Sequence, residues 1–385
     1  MHHVDFDFDA VIDRSGTGSE KWDRYKGRDI IPLWVADMDF SSPPAVITAL
    51  QARVEHGVFG YTHPTPGVIS AVVEHLERDY DWMIEPEWIV WLPGLVCGLN
   101  VLSRAVGDPG DDVITFTPIY PPFMSAPLLS QRTTVKVPLL LEDGRWGINY
   151  EVLEQAITPR SKLLLLCNPH NPVGRAWRRD ELMQLAEVAE RHNLVIGSDD
   201  IHAGLILDEG RRHIPIATLS PEISSRTITL MAPSKTYNIP GLGCSFAVIS
   251  DPQLRSSFKA AAGRIVPHVN LLGFTATEAA YRHGEPWRQS LLSYLRGNRY
   301  LVTEAIRDTA GLSAAHVEAT YLAWIDTRET GITDPGKFFE GFGIGLSNGA
   351  DFDAPGFVRL NFGCRRKLLV EALRRMKVAV RSITT

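Results

Sequence analysis

The sequence predicts an α/β fold: a mostly parallel central sheet with helices on both faces, joined to a smaller α+β domain. Two observations carry the sheet. Short apolar runs lie at 88–92, 112–116, 162–167, 194–197, 227–231 and 245–249, mostly flanked by Gly, Pro, Asn or Asp. Such runs suit strands buried on both faces. Helical patterns lie between them; over 178–192, Leu182, Leu185, Ala186 and Ala189 recur at three- and four-residue intervals, as on an amphipathic crossover helix. The third observation is a change of pattern after about residue 286. A polar helix over 288–307, a strand over 321–325 and a helix near 367–377 read as a smaller α+β unit.

At 385 residues the chain exceeds what one hydrophobic core usually organises. Two domains are expected: residues 48–285 as the large α/β domain, and residues 1–47 with 286–385 as an N-terminal arm plus the small one. Hydrophobic residues make up 44% and charged residues 22%, well inside the range of packed globular proteins. A formal net charge of −6, without a long Lys/Arg run, argues against nucleic acid and anionic membrane as partners. No apolar stretch approaches the ~20 residues of a membrane span. The acidic first ten residues do not read as a secretory signal. Cys97, Cys167, Cys244 and Cys364 form no Cys-x-x-Cys pair, which argues against a disulfide framework or a zinc site and suits a reducing cytoplasm.

In parallel α/β sheets ligands gather at the carboxyl ends of the strands, so the residues just after each run matter most. After 162–167 comes Asn168-Pro169-His170-Asn171-Pro172-Val173-Gly174; after 194–197 comes Ser198-Asp199-Asp200-Ile201-His202; after 227–231 comes Ala232-Pro233-Ser234-Lys235-Thr236-Tyr237-Asn238. Singly, each has an ordinary reading: a tight turn, a helix cap, a solvated lysine. Together they match the needs of pyridoxal phosphate, which requires a lysine amine, a carboxylate for its pyridine nitrogen and a donor for its ring oxygen. Lys235, Asp199 and Asn171 supply these in order. A phosphate cradle is offered where the loop from Leu92 to Gly98 enters a helical pattern, through backbone N–H groups that include those of Val96 and Cys97.

With these loops, Pro32-Leu33-Trp34-Val35-Ala36-Asp37-Met38-Asp39-Phe40, Phe59-Gly60-Tyr61 and Arg359-Leu360-Asn361-Phe362-Gly363-Cys364 make the chain resemble, from about residue 22 to 366, the MalY/PatB group of fold-type I pyridoxal-phosphate enzymes. These are cystathionine β-lyases (cysteine-S-conjugate β-lyases) related to class I/II aminotransferases. The resemblance implies that Lys235 carries the cofactor, Asp199 pairs with the pyridine nitrogen, and Asn171 and His202 address the ring oxygen. It places Tyr120 in a stack on the ring, although a core aromatic is the plain alternative for that residue. Ser234 is the phosphate contact it leaves on the lysine loop, because Ala232 and Gly243 stand where aminotransferases have a hydroxyl and a base. Arg359 clamps the substrate carboxylate, its alternative being a surface or ion-paired arginine. Tyr61 reaches the phosphate of a neighbouring subunit, which implies a homodimer with shared sites. Asp200 departs from the family, which usually has Glu there.

The implied reaction is β-elimination on a small amino acid: L-cystathionine or a related cysteine conjugate gives thiol, pyruvate and ammonia. A transaminase uses the same catalytic residues up to removal of the α-proton, and only the whole-chain resemblance separates the two. A cofactor-binding regulatory protein is a third reading, against which stand the intact Lys235, Asp199 and Arg359.

Overall fold

In the computed structural model, which describes residues 6–384, seven strands form the central sheet: β1 (Ile89–Leu92), β2 (Asp112–Thr117), β3 (Thr133–Pro138), β4 (Ser161–Cys167), β5 (Val195–Asp199), β6 (Thr227–Met231) and β7 (Ser245–Val248). Their spatial order is β1-β7-β6-β5-β4-β2-β3. β7 runs antiparallel to both β1 and β6, and the other pairings are parallel. The six runs read from the sequence are six of these strands. The seventh, β3, was not read, because as an edge strand it keeps only Val137 buried and carries the exposed Lys136.

The apolar runs are continuous because both faces of the sheet are covered. Along β4, Leu163 and Leu165 enter one core while Leu164 and Leu166 enter the other. This is the period-two alternation of a strand with an apolar environment on each side. The first core is closed by helix α1 (Leu95–Ala105), through Leu95, Leu99, Val101 and Leu102. The second is closed by helix α2 (Arg179–Arg191), through Leu182, Leu185, Ala186, Val188 and Ala189. The start of α2 is fixed by Glu181, whose Oε2 accepts the Arg178 backbone N–H at 2.7 Å. Gly197 lets α1 lie close on β5, since a Cβ there would stand 2.2 Å from Leu102 Cδ2.

Beyond residue 284 come helix α3 (Glu285–Arg307), strands β8 (Leu322–Asp326), β9 (Ser347–Asn348) and β10 (Phe357–Asn361), and helix α4 (Arg366–Thr384). β10 lies between β8 and β9, antiparallel to both. The N-terminal segment joins this part of the molecule: Ile31–Pro32 pairs in parallel with Ile344–Gly345, and the Asn361 N–H donates to the Leu33 carbonyl at 2.9 Å. Among the described residues, no helix is long and apolar enough to cross a membrane. Residues 1–5 of the expected N-terminal arm, and residue 385, lie outside the described residues.

Candidate active site

A cavity of about 620 Å³ opens at the carboxyl ends of the parallel strands, between them and β10. Tyr120, Asn171, Asp199, His202, Ser234, Lys235, Val96 and Arg359 all line it. Residues spread over more than 260 positions of chain thus converge because the strand ends converge.

Lys235 follows β6 and is half-buried. Its Nζ donates to the Ala36 carbonyl at 2.6 Å, and the Tyr321 hydroxyl donates to the same oxygen at 2.9 Å. Desolvation pulls the Lys235 amine down to about 8, against the opposing field of Asp37. Asp199 ends β5 and is buried; Oδ1 accepts the Ile201 N–H at 3.1 Å. Among the described residues it forms no ion pair, and burial pushes its carboxyl up to about 7. A buried carboxylate in that state calls for a cation in the cavity beside it. His202 is buried, and desolvation lowers its imidazole to about 3, so it is neutral. Its Nδ1 has no hydrogen-bond partner among the described residues.

Arg359 sits on β10 and is buried. Nη1 donates to Asn171 Oδ1 at 3.0 Å, and Nη2 donates to the Trp34 carbonyl at 2.8 Å and to Ser347 Oγ at 3.2 Å. The guanidinium lies 4.8 Å over the Phe352 ring. Among the described residues no carboxylate pairs with it, and desolvation pulls it down to about 10. A buried arginine held by neutral acceptors beside a cavity is prepared for an anion that the protein does not supply.

The sequence motifs prove to be fastenings for one wall. Asn361 Nδ2 donates to the Val35 and Asp37 carbonyls, and Asn238 Nδ2 to those of Met38 and Phe40. Behind them, Lys21 and Arg14 pair with Asp39 at 2.9 and 2.7 Å. The 34–40 segment is therefore rigidly placed, and its carbonyls at 34 and 36 orient Arg359 and Lys235. These two acceptors, with Ser347 and Tyr321, went unread, because a backbone carbonyl leaves no mark in residue type.

The N-terminus of α1 faces the cavity, with Gly94, Leu95 and Val96 in its lining. The first-turn N–H groups of an α-helix lack intrahelical partners, and those of Val96 and Cys97 are among them. The Cys97 side chain packs against the core beneath α1 and is absent from the cavity lining. Tyr120 is carried on the loop after β2; its N–H donates to the Asn171 carbonyl at 3.2 Å. Asp200 turns away from the cavity to pair with His213 Nε2 at 2.7 Å, so the acid that departs from the family plays no part in the lining. Tyr61 is exposed and stands apart from this cavity.

The family description "Aminotransferase class I and II" matches residues 28–376. Cystathionine beta-lyase PatB of Bacillus subtilis is 37% identical over 97% of this chain and 99% of that protein. Among solved structures, OvoB superposes with a TM-score of 0.96 at 46% identity, covering 98% of this chain and 100% of that one. Cystalysin from Treponema denticola, described as containing pyridoxal 5′-phosphate, gives a TM-score of 0.93 at 32% identity over 98% and 99% of the two chains. The chain belongs to the class I and II aminotransferase family of fold-type I enzymes, in its PatB/MalY branch of cystathionine β-lyases.

Proposed function

We propose that this protein is a pyridoxal-phosphate-dependent carbon–sulfur β-lyase that cleaves L-cystathionine or related cysteine S-conjugates. The observation that carries it is the trio Lys235, Asp199 and Arg359, each desolvated in one cavity and none paired with an opposite charge. Whole-length likeness to a relative called cystathionine beta-lyase supports the choice of reaction.

The residues fit the cofactor. Asp199 suits a cationic ring nitrogen, Lys235 an aldehyde, Tyr120 a ring face, and Asn171 and His202 a ring oxygen. The first-turn amides of α1 and the Ser234 hydroxyl suit a phosphate. When bound, pyridoxal phosphate supplies an electrophilic aldehyde and a sink for the electron pair left when Cα loses its proton.

The protein's own residues do the rest. Arg359 binds the substrate α-carboxylate and orients Cα toward the lysine loop. Lys235, lowered toward neutrality, takes the Cα proton on Nζ. Asp199 would face the ring nitrogen of the bound cofactor, keep its negative charge there and hold that nitrogen protonated. Loss of the β-sulfur as thiol, followed by addition of water, gives pyruvate and ammonia. Aminotransferase chemistry is the second reading, since the shared fold and Lys235, Asp199 and Arg359 suit both reactions.

The active form is a homodimer in this reading, with Tyr61 completing the phosphate site of the partner subunit. Its support is an exposed apolar stretch, Val54, Val58, Phe59 and Tyr61, on one short segment. Residues 48–285 then form the cofactor-holding domain, while 286–385 and the N-terminal arm close the substrate side. The four unpaired cysteines suit the cytoplasm. Assay of the purified, cofactor-loaded protein with L-cystathionine tests the function: pyruvate and thiol are expected, and their absence with every thioether would reject it.

A further inference from the structure

The mouth of the cavity carries six charged residues: Glu20, Arg24, Asp334, Lys337, Glu340 and Asp351. Three of them are engaged with one another or with neighbouring groups. Glu340 accepts from Arg28 at 2.7 Å. Asp334 accepts the Lys337 N–H at 3.1 Å and Asn348 Nδ2 at 2.9 Å, and it stands 3.7 Å from Lys337 Nζ. Arg24 differs from these. Its guanidinium lies 4.5 Å over the Trp34 ring and 5.6 Å over the Tyr25 ring, and it forms no hydrogen bond or ion pair among the described residues. Glu20, one helical turn earlier, does not pair with it either.

Trp34 therefore serves two guanidinium groups. Its carbonyl holds Arg359 at 2.8 Å, deep in the cavity, and its indole supports Arg24 at the mouth. Neither arginine has a carboxylate partner. Stacking on an indole fixes the plane of a guanidinium and leaves its N–H edge free, which is the geometry for taking a carboxylate bidentately.

We infer that Arg24 is a specificity-determining residue that binds a second carboxylate, at the far end of the substrate's sulfur substituent. The preferred thioether is then a dicarboxylic amino acid rather than a simple S-alkylcysteine. This rests on the β-lyase reading for the sulfur. The recognition itself is of a long amino acid with an acid at each end.

The test is calorimetric binding to the cofactor-loaded protein of α-aminosuberate and α-aminooctanoate, which differ only by a carboxylate in place of a methyl at the far end. Wild type is expected to prefer α-aminosuberate by about tenfold, the order of a charge-assisted pair at a partly solvated site. Arg24→Gln should erase that preference, and Arg24→Lys, which keeps the charge without the planar fork, should retain part of it. Equal binding of the two compounds by wild type overturns the proposal. So does a preference that survives Arg24→Gln, or one lost in Glu20→Gln instead. Neither compound carries a sulfur leaving group, so failure of thiol release from thioethers would reject the lyase reading without deciding this one.

Discussion

Arg359 Nη1 donates to Asn171 Oδ1 at 3.0 Å, which makes the proposed carboxylate clamp and the proposed ring-oxygen donor one hydrogen-bonded unit. With Oδ1 committed to the guanidinium, the Asn171 amide nitrogen is left as the group that donates into the cavity.

Substitutions at the two positions should therefore interact. Arg359→Lys is expected to lower kcat/KM by about 10–100-fold, mostly through KM, because a point charge replaces a fork. Asn171→Ala should raise KM as well as shift the bound cofactor's absorbance. In the double variant the losses should fall short of the sum, since each single change already breaks the shared contact. Additive losses in a double-mutant cycle on kcat/KM would show that the contact carries no function.

Asp199 gives a pH signature in the cofactor-free protein. Its carboxyl titrates near about 7 in the folded chain and near about 4 in the unfolded one. Between those values the folded state holds a proton that the unfolded state has released. Stability from this group is therefore lost as pH rises from about 4 to about 7, and is level above that. Asp199→Asn removes the effect. Thermal melts of the two cofactor-free proteins should show wild type losing ground to the variant across that range; parallel curves would mean that Asp199 is not desolvated. The same variant, loaded with cofactor, should keep its fold and lose most of its turnover.

Much of this was legible in the sequence for a physical reason. A strand buried on both faces must be apolar throughout, so the runs that became β4 and β6 stood out. The polar residues just beyond them, Asn171, Asp199 and Lys235, were conspicuous by contrast. β10 was invisible as a strand because Arg359 and Asn361 interrupt its apolar pattern; both are buried there, and their polarity serves the cavity and the 34–40 wall. The antiparallel direction of β7, whose run was read, was unreadable for another reason: direction leaves no trace in composition. Arg24 went unnoticed because an exposed arginine on a one-turn helix looks like any solvated charge until Trp34 is seen beneath it.

Sharing of sites across a dimer is open to complementation. Tyr61→Phe should weaken cofactor retention although Tyr61 is exposed and remote from Lys235 in the single chain. If Tyr61 acts on the partner's phosphate, mixing Tyr61→Phe with Lys235→Ala subunits gives dimers in which one site carries both defects and the other neither. Activity should recover toward half the wild-type value per mixed dimer. No recovery, under conditions where subunit exchange is demonstrated by mass, would place Tyr61 outside the site.

The choice between lyase and transaminase turns on what happens after Lys235 Nζ has taken the α-proton, and the residues around it serve both outcomes. Elimination discharges the electron pair by expelling the β-sulfur, and the enzyme is then ready for another substrate. Transamination does not release the amino nitrogen as ammonia, and turnover stops until a keto acid takes it up. With L-cystathionine and no added keto acid, sustained release of pyruvate, ammonia and thiol in equal amounts is expected, and Lys235→Ala should abolish it. Arg359→Lys cannot discriminate, since the α-carboxylate is held in either case. Keto-acid-dependent turnover of alanine or an aromatic amino acid, with no thiol from cystathionine, would transfer the assignment to aminotransferase. Product stoichiometry decides because it counts the fates of the sulfur and the amino nitrogen, both of which the two reactions treat differently.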